Sequence, residues 1–479
     1  MESRSFECCV LGAGPAGFGA ALELCRHRVT DLLIIDRNKR VGGLARTELF
    51  GGARFDVGPH RFFTKSEEIN RLWHDTLGTD FRPVDRLTRI YYKHKLFKYP
   101  LKAFDALIKL GPVESVQALG SFARAQLGKH ADPSTFEEWI TQKFGRKLYE
   151  TFFKTYTEKI WGIPCSQVGA EWAAQRIKGL DVFEVLKNAV FTGLHKKPKT
   201  LVEQFDYPIL GAGQMYEVMA DQVVAQGAQI KLGTRVVAIH QQQNRVRSIE
   251  VLADNGEREE IFAEHFFSSI PLTKFIGMMD PVESDVIRQA AESLYYREHI
   301  TVDLLVSGTD WFPDQWIYIH WPDVQMARLA NYNNFSKAMV ASPRMTALSV
   351  EYFVFQHDPL WHRSDPEIVA QAIDELEYVG LVKRNAVEQS WVVRETESYP
   401  TYYLGYAGPY ETLKARLGQF TNLSPIGRGG MYKYNNQDHS IMSGLLAARN
   451  YLQLPGGPNN LWNINVDAEY QESSEREMP

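Results

Sequence analysis

One turn constrains this chain more than any other stretch: Gly12-Ala13-Gly14-Pro15-Ala16-Gly17. The apolar run Cys8-Cys9-Val10-Leu11 precedes it, residues 18–26 follow with helical spacing, and a second apolar run, Leu32-Leu33-Ile34-Ile35, ends at Asp36. A G-x-G-x-x-G turn after a strand and before a helix is a dinucleotide fingerprint. Gly12 permits the tight turn, Gly14 lets backbone N–H groups approach a pyrophosphate, and Gly17 lets the helix pack closely on the strand. The helix N-terminus then faces the pyrophosphate charge. Asp36 follows about twenty residues on, where a carboxylate accepts from the adenosine ribose hydroxyls. A glycine-rich turn that binds nothing is the competing explanation, and it leaves the agreement of strand, turn, helix and acid to chance.

A chain of 479 residues exceeds what one hydrophobic core serves, so two domains are expected. The 53 basic and 58 acidic residues leave a formal charge of −5, and without a basic excess nucleic acid is not an expected partner. Cys8, Cys9, Cys25 and Cys165 form no C-x-x-C pair, which argues against a disulfide framework or a zinc site and suits a reducing compartment. No run approaches the roughly eighteen apolar residues of a membrane span, and the N-terminus lacks the pattern of a signal peptide. A cytoplasmic location is therefore expected, and a homo-oligomer is compatible with it.

Further along, Leu72-Trp73 among charges suggests a surface helix, and residues 87–100 read as a β-hairpin closed by Pro100. From residue 101 to about 190 the pattern is helical. Leu107, Leu110, Val113, Val116 and Leu119 form a stripe that runs on in spite of Pro112. Residues 214–224 read as a helix, and strands are expected around residues 230–239, 246–251 and 266–270. Alternation around residues 300–306, 316–320 and 348–354 predicts a sheet, with a helix near 366–378. A glycine-rich turn, Gly427-Arg428-Gly429-Gly430, leads through Tyr434-Asn435-Asn436 to a helical run at 445–452, a second device for bringing N–H groups to an anion or a ring. The tail 466–479 is polar and expected to be disordered.

The run Arg40-Val41-Gly42-Gly43-Leu44-Ala45-Arg46-Thr47, followed by Asp56-Val57-Gly58-Pro59-His60, resembles the FAD-binding amine-oxidase superfamily. The resemblance implies FAD as cofactor, with Gly42, Gly43 and Leu44 beside its pyrophosphate and Gly58, Pro59 and His60 bordering the flavin. It implies an α/β fold: a Rossmann-type FAD-binding domain, discontinuous in sequence, from residues 1–80, 205–275 and 420–465. A mixed α+β substrate domain, a helical insertion plus an antiparallel sheet, would come from residues 81–204 and 276–419. Val236 would lie near the adenosine, and Arg428, Tyr434, Asn435, Asp438, His439 and Ser440 would meet the cofactor from the third segment. In some members of the superfamily a helix near residues 101–125 meets lipid. Here the absence of a basic face favours packing on its own domain.

The aromatic run 144–162 reads first as core, since burial is the usual use of aromatics at helical spacing. Its order from Leu148-Tyr149 through Phe152-Phe153-Lys154, Tyr156-Thr157 and Lys159 to Trp161-Gly162 also resembles the uridine-binding segment of UDP-galactopyranose mutases, as Gly58-Pro59-His60 resembles their flavin border. That resemblance implies Tyr156 and Trp161 as nucleobase contacts and His60 as a flavin-side histidine, against a structural histidine after a proline. A diphosphate calls for arginine. Arg297 and Arg176 match the arginine positions of those enzymes in outline, and Tyr399 matches a tyrosine near the phosphates. Two features depart from the pattern: Leu44-Ala45-Arg46 follows the glycine pair as in oxidases and desaturases, and the turn at residues 434–439 differs.

Three functions follow as expectations. In the first, a mutase-like enzyme isomerises a nucleoside-diphosphate sugar between pyranose and furanose forms. N5 of the reduced flavin displaces the nucleoside diphosphate in a covalent mechanism, a reductant such as NAD(P)H is required, and His60, Arg297 and Tyr399 lie at the chemistry. In the second, an FAD-dependent oxidase, dehydrogenase or desaturase oxidises a sugar, porphyrinogen or polyene and passes electrons to an acceptor. In the third, the chain binds FAD without turnover, which leaves a flavin-side histidine and a second glycine turn without a use.

Overall fold

The computed structural model describes residues 4–128, 131–170, 204–454 and 461–464. Arg176, the helical pattern expected beyond residue 170 and the tail 466–479 lie outside them. The opening strand β1 (Arg4–Leu11), helix α1 (Pro15–Arg26) and strand β2 (Leu32–Ile35) form the expected unit, with β1 and β2 parallel. The turn between them depends on glycine. Gly12 has φ +118°, and a Cβ there would lie 2.0 Å from Ser269 Oγ; a Cβ on Gly17 would lie 1.9 Å from the Gly12 carbonyl oxygen.

β1 and β2 sit in an eight-stranded sheet. On one side of β1 lies Arg258–Ser268, followed by Arg245–Ala253, Thr234–Gln242 and Met279–Asp280; on the other lie β2 and Gln229–Lys231. Leu423–Pro425 pairs parallel to the end of Arg258–Ser268. Both faces are covered, which is why Cys8-Cys9-Val10-Leu11 reads as an unbroken apolar run. Cys8 and Val10 join a core with Phe18 of α1, Met215 and Tyr216 of Gln214–Ala225, and Ile441 and Leu445 of Gln437–Tyr451. Cys9 and Leu11 point to the opposite core with Phe266, Phe275 and Leu413. The strands of this sheet come from residues 4–35, 229–280 and 423–425, so the chain leaves it twice and returns.

The excursions build a second, seven-stranded sheet in the order Val387–Pro400, Tyr296–Ser307, Met345–Val354, Arg328–Asn331, Trp316–Ile319, Thr88–Tyr92, Lys95–Lys98. Its neighbours are antiparallel except where Trp316–Ile319 meets Thr88–Tyr92. Side chains alternate in chemistry along its central strands. Ile300, Val302, Leu304, Leu348, Val350 and Tyr352 pack against Ile368, Ala372 and Leu376 of the helix Asp365–Tyr378. The intervening His299, Thr301, Asp303, Ser349 and Glu351 are equally buried but polar. One face of the sheet is ordinary core; the other carries this buried polar strip, which needs hydrogen-bond partners, before it turns apolar at Leu305 and Ala347.

Leu72 and Trp73 turn inward from a surface helix, Glu67–Leu77, whose Glu67, Glu68, Arg71 and Asp75 are exposed. One region differs from the sequence expectation. The stripe from Leu107 to Leu119 is split between two helices, Ala103–Leu110 and Pro112–Leu127. Gly111, at φ +88°, ends the first, and Pro112 starts the second, where its missing N–H is no loss. On the second helix Val113 and Val116 are 69% and 70% exposed. Val116→Lys is therefore expected to change the unfolding free energy by less than about 0.5 kcal/mol, measured by urea denaturation; a larger loss would mean that the stripe is covered. No described helix is long and apolar enough to cross a membrane.

Candidate active site

A cavity of about 490 Å³ lies between the two sheets. At one end Gly12, Gly14, Asp36, Gly43 and Val236 line it; at the other stand His60, Tyr318, Arg328, Arg428 and Tyr434. Two helix N-termini converge on the space, α1 with Gly14 as its N-cap and Gln437–Tyr451 with Asn436, and neither carries a side-chain cap. Their backbone N–H groups and dipoles are left for an anion. Gly14 and Gly43 face each other, and a Cβ on Gly43 would lie 3.2 Å from Gly14 Cα. Asp36 accepts 2.7 Å hydrogen bonds from Ala13 N and Asn38 N. Burial raises its pKa while these two donors and Arg37 oppose the rise. Each oxygen keeps a lone pair for a ribose hydroxyl. These residues fit a dinucleotide laid from Asp36 across the glycine turns toward His60.

At the far end, His60 Nε2 donates to the Leu44 carbonyl at 2.7 Å, which leaves Nδ1 as the acceptor. Burial, opposed by that hydrogen bond and reinforced by the charges of Arg428 and Arg328, pushes its pKa down to about 4, so the ring is neutral at neutral pH. Arg428 donates from Nε to the Asn435 carbonyl at 2.9 Å and from Nη1 to the Ser398 carbonyl at 3.1 Å. Its guanidinium lies 4.8 Å from the Tyr399 ring centroid and 5.1 Å from that of Tyr434. Arg328, on the polar face of the second sheet, is paired with Glu351, which also accepts from His299 Nε2 at 2.8 Å. Arg328 Nε is buried without a partner among the described residues. A Cβ on Gly58 would lie 3.3 Å from both Glu351 Oε2 and His299 Cε1, so this charged trio supports the turn that carries Pro59 and His60.

The expected site residues divide by position. Gly12, Gly14, Asp36, Gly43, Leu44, Pro59, His60, Val236, Arg428, Tyr434, Asn435 and Ser440 line the cavity. Gly17, Gly42 and Gly58 lie behind that lining as packing positions, Gly42 N donating to the Ala13 carbonyl at 2.7 Å. Asp438 and His439 begin the helix Gln437–Tyr451, 3.5 Å apart at Oδ1 and Nδ1. Tyr399 stands one layer back, its hydroxyl 3.5 Å from Arg328 Nη2 and its ring 5.4 Å from that of Tyr434. Tyr156 follows a π-helical turn, Tyr149–Lys154, a form frequent at functional sites. Its ring stacks on His320 at 4.7 Å and meets the edge of Tyr318.

Tyr156, Tyr399, Asp438 and His439 do not line the cavity, and two further residues, Trp161 and Arg297, are buried apart from it. Trp161, 1% exposed, belongs to a core with Phe136 and Tyr149 and lies 6.0 Å from Tyr434. The Arg297 guanidinium is buried over the Phe355 ring and donates to the carbonyls of Ile160, Lys159 and Phe353. Conversely, the sequence reading did not single out Arg328, Glu351 or His299. The available signal was polar residues alternating with β-branched ones in strands too apolar to face water.

Compared with known proteins, residues 15–451 match the family described as flavin containing amine oxidoreductase. The dTDP-fucopyranose mutase of Escherichia coli is 29% identical over 170 residues, 34% of this chain and 43% of that protein. The chain thus matches less than half the length of that relative. The coproporphyrinogen III oxidase of Mycobacterium bovis is 22% identical over 439 residues, 87% of this chain and 91% of its own. Among solved structures, a reduced UDP-galactopyranose mutase superposes with a TM-score of 0.82 at 20% identity, covering 97% of this chain and 99% of that one.

Proposed function

The chain belongs to the flavin containing amine oxidoreductase family, and from that premise we propose that it is an FAD enzyme acting on a nucleoside-diphosphate sugar, as a mutase. A flavin in a site with a dinucleotide fingerprint is FAD. We assign residues 1–80, 205–275 and 420–465 to the cofactor domain and 81–204 with 276–419 to the substrate domain. Bound FAD supplies the electron-rich centre of an isomerisation, and the protein supplies placement, charge and exclusion of water.

The observation that carries this reading is the pair of guanidiniums, Arg328 and Arg428, at the end of the cavity beside His60. A site for an amine would not gather cations, and a site for a polyene would be apolar. Planar donors among tyrosines suit a phosphate-bearing substrate. In this reading the N–H groups of α1 bind the cofactor pyrophosphate and Asp36 its ribose. Arg428, Arg328 and Tyr434 hold the substrate diphosphate, Tyr399 backs them from one layer behind, and Tyr156 lies on the side of the base. His60 stays neutral and offers a lone pair rather than a charge. Arg297 and Trp161 shape this wall from behind. Support also comes from the mutase among the relatives and from the mutase fold.

One other reading has its own observation. The alignment to a coproporphyrinogen III oxidase runs nearly the whole chain, and the two arginines would serve equally for the carboxylates of a tetrapyrrole. Anaerobic incubation of dithionite-reduced protein with UDP-galactopyranose and dTDP-fucopyranose, resolved by chromatography and mass, separates the two. The mutase reading expects an isomer of unchanged mass that forms only with reduced flavin. No isomer, together with bleaching of oxidised flavin by a porphyrinogen, would put the oxidase in its place.

A further inference from the structure

Outside the glycine fingerprint, the cavity wall carries a set of ion pairs that joins the two sheets. Arg37 lies two residues beyond the end of β2, next to Asp36, and Lys274 lies on the short helix Leu272–Gly277; both belong to the nucleotide side. Opposite them, Glu395, Thr396 and Glu397 belong to the strand Val387–Pro400 of the second sheet. All five line the cavity next to Asp36. Arg37 Nη1 donates to Thr396 Oγ1 at 2.9 Å and lies 3.5 Å from Glu397 Oε2, and Lys274 Nζ lies 2.6 Å from Glu397 Oε1. Arg37 Nη2 is 4.0 Å from Glu395 Oε2, whose other oxygen is held by the buried Arg46.

The acidic side of this bridge is built at the expense of backbone regularity. Pairing with the neighbouring strand breaks between His299–Glu395 and Arg297–Tyr399, so Glu298 alone faces residues 396 to 398. In that bulge Glu397 adopts φ +51°, the left-handed region that a long side chain rarely occupies. Its carboxylate is nonetheless buried, and Oε2 takes no hydrogen bond among the described residues. Gln356 Nε2 reaches both Glu298 and Glu397, at 2.9 and 3.4 Å, and holds the bulge from behind. A strained residue persists where its surroundings over-determine it, typically at a ligand clamp. Glycine would relieve this strain, so what the chain keeps here is the carboxylate.

We propose that Arg37, Lys274 and the Glu395–Thr396–Glu397 bulge are a clasp that retains the cofactor: FAD leaves only when the two cations let go of Glu397. The cations are 44% and 46% exposed while the acids are buried. Salt therefore reaches the clasp from its basic side.

The test is the rate at which the holoprotein releases FAD, followed by recovery of flavin fluorescence after dilution. Wild-type release is expected to speed up about three- to tenfold between about 0.05 and about 0.5 M NaCl. Glu397→Gln should release FAD that fast already at low salt and lose most of the salt dependence. Glu397→Gly removes the carboxylate and the strain together, so it should fold as well as wild type by circular dichroism and release as fast as Glu397→Gln. A Glu397→Gln or Glu397→Gly protein with the wild-type release rate, or a salt effect of the same size with and without Glu397, would overturn the clasp. Purified protein without flavin absorbance would overturn the cofactor assignment and the clasp with it.

Discussion

Glu351→Ala is expected to lower the unfolding free energy by about 3–5 kcal/mol, the range found when a buried ion pair loses one member. The carboxylate is fully buried; Oε2 receives Arg328 and, at 2.8 Å, His299 Nε2. Burial alone would raise its pKa, but Arg328 and His299 more than offset this and hold it below the ordinary carboxylate range. Its removal leaves the Arg328 guanidinium inside the sheet without a counter-charge. A group whose folded pKa is depressed contributes stability above its unfolded value, about 4.3 for Glu, and loses that contribution as pH falls through the folded value. The deficit of Glu351→Ala should therefore be largest at neutral pH and shrink in acid. Urea denaturation at several pH values measures it. Arg328→Met with Glu351→Leu should recover most of the loss, because a pair replaced by apolar side chains leaves no orphan charge. A deficit as large in the double variant would mean that packing, and not charge, is what Glu351 provides.

The same strand shows where sequence legibility ends. The fingerprint could be read because each of its residues acts locally: Gly12 at its own φ, Gly17 against a carbonyl five residues earlier, Asp36 just past the end of the next strand over. The alternation in residues 300–306 gave the strand for the same reason, a period of two written in consecutive residues. Glu351, His299 and Arg328 owe their meaning to register between three strands, for Glu351 faces Thr301 on one side and Arg328 on the other. Nothing in the local sequence of any one of them announces it. Arg297 shows the reverse. Its position in the chain pointed to a phosphate, yet the bulge beside it turns its guanidinium into the carbonyls that end the helix Thr155–Trp161. Aromatic composition was likewise ambiguous around Trp161, where burial won, and at Tyr156, which packs against His320 and against Tyr318 of the cavity wall.

Arg428→Met is expected to keep FAD bound and to reduce turnover of a nucleoside-diphosphate sugar about 10²- to 10³-fold, the loss typical when one preorganised donor to a developing or fixed negative charge is removed. Two carbonyls and two tyrosine rings fix its guanidinium in the cavity wall. Among the described residues no carboxylate pairs with it. Of the two guanidiniums near His60, it therefore has its charge free for substrate, whereas that of Arg328 is shared with Glu351. Arg428→Lys should restore little, because an ammonium can neither bridge the Ser398 and Asn435 carbonyls as a planar fork nor lie flat against the Tyr399 and Tyr434 rings. Steady-state kinetics of the reduced enzyme, with the flavin spectrum as the check on cofactor content, give the measurement. Losing flavin together with activity would make Arg428 a cofactor residue. Unchanged kinetics would mean that the substrate diphosphate lies elsewhere, and the free charge at this end of the cavity would then belong to the cofactor's own chemistry.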